Sequence, residues 1–212
     1  MPASCAHPQA MHSLDNRQRG VETCTMPLIR RASIQDAPRL SELGASTFRD
    51  TFEADNAADD IAAYIAEAFT PQRQEQEIAD PASIVLLVED EGVTGSRELI
   101  GYAHLVSGPA PECVPDLQPI ELKRFYITRA HHGRGVARVL MHAALAAARE
   151  AGARTVWLGV WERNARAIAF YEKCGFVRAG EQTFMLGADR QTDWVMVRSL
   201  DADQTAPGRE GS

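Results

Sequence analysis

One junction limits the fold more than any other part of the chain. IELKRFYIT (120–128) reads as a strand, and a helical run follows almost at once. From about residue 134 to 151, Val136, Val139, Leu140, Ala143 and Ala147 keep the i, i+3, i+4, i+7 rhythm of a helix, and Gly152 ends it. Between the two lies HHGRG, residues 131–135. A helix N-terminus leaves backbone N–H groups without partners and carries partial positive charge. Gly133 and Gly135 strip side chains from that end, Ala137 keeps the first turn narrow, and Arg134 and Arg138 add charge. An anion can then reach the amides directly. The Walker loop needs Gly-Lys-Ser/Thr, which is missing. The dinucleotide fingerprint needs a third glycine where Arg138 stands, and an acidic residue about 20 positions on, near Thr155–Trp157, where none occurs. These residues alone leave two readings open: a phosphate cradle, or an ordinary glycine turn before a core helix.

The flanking pattern alternates strands and helices. LIRRAS is a strand, and Ser33 caps a helix over IQDAPRLSELGASTF with Asp36 in its first turn and Leu40, Leu43 and Phe48 on its buried stripe. NAADDIAAYIAEAF repeats helical spacing through Ile61, Ile65 and Phe69, and PQRQEQEIAD begins a short helix at Pro71. SIVLLVED and ELIGYAHLVSG form an antiparallel pair across the turn GVTGSR, and a proline-rich loop leads to the junction strand. Beyond the junction come the strand RTVWLGVW, a helix NARAIAFYEKCG capped by Asn164, and two strands, FVRAGEQTFML and TDWVMVRSL, joined by GADRQ. The order is mixed α/β, with antiparallel strands first and last. Residues 1–25 are polar and aperiodic and are expected to be a disordered extension, with Met26 a second candidate start; 201–212 is expected to be a disordered tail, leaving 26–200 as the folded domain.

Composition excludes several classes. With 45% hydrophobic residues in 212 the chain can build a core, and a net charge of −7 without a basic block argues against nucleic acid. No apolar run reaches the roughly 18 residues of a membrane span. The N-terminus lacks the apolar stretch of a secretory signal, so a cytoplasmic location is expected. Cys5, Cys24, Cys113 and Cys174 are scattered, and His131 and His132 have no visible third ligand, so neither disulfides nor a metal is expected.

Two motifs carry a resemblance. His132-Gly133-Arg134-Gly135-Val136-Ala137 resembles the Gln/Arg-x-x-Gly-x-Gly/Ala element of the GNAT superfamily of N-acetyltransferases, with histidine at the first position. NARAIAFYEKCGF resembles that family's Asn-x-x-Ala-x-x-Phe-Tyr-x-x-x-Gly-Phe segment. STFRDTFEADNAADDIAAYIAEAF, WLGVWERNARAIAFYEKCGF and DRQTDWVM resemble the bacterial Pai-type polyamine N-acetyltransferases. The resemblance implies a mixed, mostly antiparallel sheet of six to seven strands flanked by about four helices, and acetyl-CoA as co-substrate. It places the CoA diphosphate on the amides of residues 132–137 and the pantetheine arm on the main chain of Phe125, Tyr126 and Ile127, where the next strand splays away. Asn164, Ala167 and Lys173 would also contact CoA, and a homodimer is compatible with the family.

Amide formation needs a neutral amine, a stabilised oxyanion and a protonated leaving thiolate. The resemblance gives Tyr171 the role of acid, with simple core packing as the alternative. It makes Glu121 a candidate base, with a water chain as the alternative. Trp161 and Glu162 sit beside the implied acetyl site, where an aromatic face and a carboxylate suit a cation. Asp50, Glu53 and Asp55 could extend that acidic surface. The expected function is acetyl transfer to a primary amine, a polyamine such as spermidine or spermine, in a ternary complex. A protein N-terminus, another small amine, or non-catalytic sensing of acyl-CoA are the alternatives.

Overall fold

Seven strands form one sheet in the order β1-β2-β3-β4-β5-β7-β6. They are β1 (Leu28–Arg31), β2 (Ser83–Glu91), β3 (Arg97–Ser107), β4 (Pro119–Ile127), β5 (Thr155–Trp161), β6 (Val177–Leu186) and β7 (Asp189–Ser199). Among the described residues, five α-helices accompany them: α1 (Ala37–Phe52), α2 (Ala58–Ala68), α3 (Pro71–Ala79), α4 (Val136–Glu150) and α5 (Ala165–Lys173). The computed structural model describes residues 27–91, 96–115, 118–187 and 189–201. The expectations for residues 1–25, Met26, Cys5, Cys24, most of the GVTGSR turn and all but the first residue of the tail lie outside these residues. Among the described residues, no helix is long and apolar enough to cross a membrane.

The unbroken apolar run of β2 reflects burial on both faces. Ile84, Leu86 and Val88 pack toward α4, whereas Val85 and Leu87 pack with Leu40 and Leu43 of α1. A third cluster joins Phe48 of α1 to Ile61 and Phe69 around α2. The buried stripe of α4 differs from the periodic reading. Leu140, Met141, Ala144, Leu145 and Ala148 are its deepest residues, while Val139 and Ala143 are half-buried. Alanines at 144 and 148 let the helix lie close to the sheet, which turns that face inward. The first turn also begins two residues later than expected, because Gly133 and Gly135 take left-handed φ of 78° and 81° and hold residues 133–135 out of the helix.

All neighbouring strands are antiparallel except β4 and β5, which pair in parallel only at Pro119↔Thr155, Ile120↔Val156 and Glu121↔Trp157. Past that point the two strands have no ladder. A bulge adds a second irregularity: on β4, Lys123 is the extra residue between Leu122, paired with Leu105, and Arg124, paired with His104. The extra residue reverses the side-chain phase. Ile120 and Leu122 face α4, and so do Phe125 and Ile127, whereas Arg124 turns to the opposite face.

There Arg124 meets Glu77 of α3 in a buried ion pair, with side chains 6% and 8% exposed. His104 Nδ1 at 3.8 Å, Lys123 Nζ at 3.6 Å and Arg73 Nε at 3.2 Å also approach Glu77. Burial pushes Glu77 upward, but Arg124, His104 and Lys123 outweigh it and hold the carboxyl below its usual range. Removing one partner leaves a buried charge uncompensated. Glu77→Ala is therefore expected to lower unfolding stability by about 3–5 kcal/mol, read as a lower urea midpoint with unchanged slope.

Candidate active site

Where β4 leaves β5, a cleft of about 920 Å³ opens. Strand parity decides which main-chain groups face it. Thr128 N–H donates to Ile100 O at 2.8 Å, so Tyr126, two residues earlier, also turns its peptide groups toward β3. Phe125 and Ile127 therefore turn theirs to the gap. The Ile127 carbonyl lies 2.8 Å from His132 Nε2.

The turn before α4 supplies the cationic wall. Arg129, His131, His132, Gly133, Gly135 and Ala137 line the cleft, and Arg166 and Lys173 join them from α5. Among the described residues, no side chain caps α4, and a Cβ added at Gly133 or Gly135 would meet nothing within 4 Å. The first amides of a 15-residue helix thus face open space, which is the geometry of an anion site. His132 Nε2 is also 3.1 Å from Arg166 Nη2, so this nitrogen can donate to Ile127 or accept from Arg166, but not both. Arg134 and the side chain of Val136 do not line the cleft; Val136 is core.

On the α5 side, Asn164 Oδ1 accepts from Ala167 N at 3.1 Å and caps the helix, and both residues line the cleft. Tyr171 also lines it, held edge-on by Phe125, Phe170 and Phe176 at centroid distances of 6.4, 5.6 and 5.8 Å. Burial raises its pKa well above the ordinary phenol value, and Cys174 adds to the rise. The phenol therefore stays protonated at neutral pH and can act as a donor.

The remaining lining is mixed, with Lys123 and Arg124 of β4 beside an aromatic and acidic set. Phe48, Phe52, Tyr64, Trp161 and Phe184 stand with Asp50, Gln191 and Asp193. Trp161 lies 6.1 Å from the Phe52 ring, and Arg163 sits 5.9 Å from the Trp161 centroid, so one indole region is already next to a cation. Glu162, Glu53 and Asp55 do not line the cleft, nor does Glu121. Glu121 sits on the strand face opposite Ile120 and Leu122, where burial raises its pKa and Lys123 and Arg124 oppose the rise.

Asp193 was not singled out in the sequence, although the signal was present. It shares the inward phase of β7 with Val195 and Val197, where a carboxylate is out of place. Burial pushes its pKa up to about 6.

The family model described as acetyltransferase (GNAT) family matches residues 46–176. An uncharacterized N-acetyltransferase of Mycobacterium tuberculosis is 36% identical over 165 residues, covering 78% of this chain and 98% of its own length. One from Lactobacillus delbrueckii subsp. lactis is 33% identical over 172 residues, 81% of this chain and 96% of its own. Among solved structures, PaiA N-acetyltransferase of Thermoplasma acidophilum in complex with coenzyme A superposes with a TM-score of 0.62 at 19% identity, covering 82% of this chain and 99% of that one. A chimera of the Vibrio cholerae spermidine N-acetyltransferase SpeG with hSSAT gives 0.61 at 21% identity, over 85% and 99%.

Left-handed φ at Gly135 costs an alanine roughly 1–2 kcal/mol. Gly135→Ala is therefore expected to lower unfolding stability by about 1–2 kcal/mol, read as a lower urea midpoint with unchanged slope.

Proposed function

From the chain's membership of the acetyltransferase (GNAT) family, which makes it an acetyl-CoA-dependent N-acetyltransferase, we propose that the acceptor is a primary amine of the polyamine class, such as spermidine or spermine. The observation that carries this reading is the pairing of two carboxylates, Asp50 and Asp193, with the aromatic walls of Phe52, Tyr64, Trp161 and Phe184 in one cleft. Alkyl segments of a polyamine suit aromatic faces, and its ammonium groups suit both the carboxylates and the ring quadrupoles. The likeness in fold to PaiA and to the SpeG chimera accords with it.

Transfer is direct, in a ternary complex. CoA is held by the amides of residues 133–137 and the main chain of Phe125 and Ile127, with Asn164, Ala167 and Lys173 beside it. Nitrogen attacks the thioester carbonyl, and Tyr171 gives its proton to the sulfur as the C–S bond breaks. The oriented complex supplies proximity without a covalent enzyme intermediate.

Free thiol released from acetyl-CoA should rise with spermidine or spermine and stay low with a peptide N-terminus. The reverse order would reject the polyamine class. Tyr171→Phe is expected to lower kcat by about 100-fold. Calorimetry should find its acetyl-CoA affinity nearly unchanged, and normal turnover in that variant would remove the acid role.

A further inference from the structure

We propose that Asp193 receives the acceptor's ammonium and takes its proton, and that β5 and β7 are built around its carboxylate. The inference rests on the amine-acetylation reading and adds the base that reading lacks.

Asp193 is 8% exposed, and its Oδ1 has no hydrogen-bond partner among the described residues. A buried, incompletely satisfied carboxylate is costly to a fold. A cationic ligand would complete it. Its location is fixed by a missing side chain. A Cβ on Gly159 would lie 3.1 Å from Asp193 Oδ2 and 2.6 Å from Gln182 Nε2. The carboxylate therefore lies over the β5 main chain beyond the last β4–β5 pair, where both strands border the cleft. Trp161 stands directly opposite Asp193 in the β5–β7 ladder. Tyr64 of α2 and Phe184 of β6 line the same cleft.

The electrostatic setting suits a base. Burial alone raises the Asp193 pKa to about 6. The groups around it are the Tyr64 phenol of α2 and Arg124 of β4, whose guanidinium is bound to Glu77, while Lys123 of β4 and Asp50 of α1 line the same cleft. The β6 and β7 neighbours Gln182 and Gln191 are neutral. At neutral pH the group is ionised, attracts an ammonium, and is a stronger base than an exposed aspartate. Glu121 does not line the cleft.

The protons balance. The ammonium gives one proton to Asp193. The freed lone pair forms the N–C bond, and the C–S pair leaves on sulfur, which takes the Tyr171 proton. The second nitrogen proton returns through water to the Tyr171 phenolate. Asp193 then releases its proton to solvent, so amide, thiol and one proton are the products.

The test is Asp193→Asn in the full chain, assayed by thiol release from acetyl-CoA with spermidine between pH 5 and 9. Wild-type kcat/KM should fall below about pH 6 and run flat above it. The variant should lose at least about 100-fold at neutral pH and then climb about tenfold per pH unit, because it depends on amine already neutral in solution. Acetyl-CoA affinity by calorimetry should be unchanged. The melting temperature supplies a second readout. A carboxylate whose pKa is raised by folding costs the native state increasingly from about pH 4 and fully above pH 6, so the variant should melt higher than wild type at pH 8, keep about half of that advantage at pH 5 and lose it below about pH 4. Turnover close to wild type, or an unaltered pH profile, overturns the assignment of Asp193. A wild-type enzyme idle with spermidine but active on another amine overturns the polyamine class alone, and the same pair of profiles on that amine then decides the role of Asp193.

Discussion

Three residue pairs hold β4 to β5, and the site depends on where that ladder stops. A parallel pair that ran the full length of both strands would satisfy its own peptide groups and leave no gap. Here the peptide groups of Phe125 and Ile127 turn away from β3, so they need partners from outside the sheet. A cofactor arm with amides of its own meets that need in the manner of an added strand. The same divergence opens the cleft beneath the first turn of α4. One break in a ladder thus gives the donor its channel and the acceptor its way in.

The cleft lining carries charges of both signs although the chain carries a net −7. Arg129, Arg166 and Lys173 gather near the uncapped start of α4, where a diphosphate would sit. Asp193 stands opposite Trp161, and Asp50, Lys123 and Arg124 line the cleft as well. An anionic donor and a cationic acceptor are each drawn to different walls, which favours a single relative orientation. The buried Arg124–Glu77 pair keeps one guanidinium committed to α3, so that it does not neutralise Asp193.

Much of this was legible in the residues. The glycine junction and the late helix pointed to the family, and the alternation of strands and helices gave the architecture, with five helices where the resemblance implied about four. What escaped depended on phase. The step from Leu122 to Phe125 in the apolar spacing of β4 breaks the two-residue period, and only the pairing with β3 identifies it as a bulge at Lys123. That switch places Phe125 rather than Arg124 against Tyr171 and puts Glu121 outside the cleft lining. Asp193 escaped for a related reason. One charged residue in TDWVMV is unremarkable until the strand's inward face is known, and that face is set by pairing with β5 and β6. The aromatic wall draws on α1, α2, β5 and β6, so no local pattern could assemble it.

A crystal structure with acetyl-CoA bound tests the central claim most directly. The diphosphate should lie on the amides of residues 133–137, with the pantetheine arm hydrogen-bonded to Phe125 and Ile127 and the acetyl group between Tyr171 and Asp193. A diphosphate bound elsewhere, or a gap closed by new hydrogen bonds between β4 and β5, would contradict it.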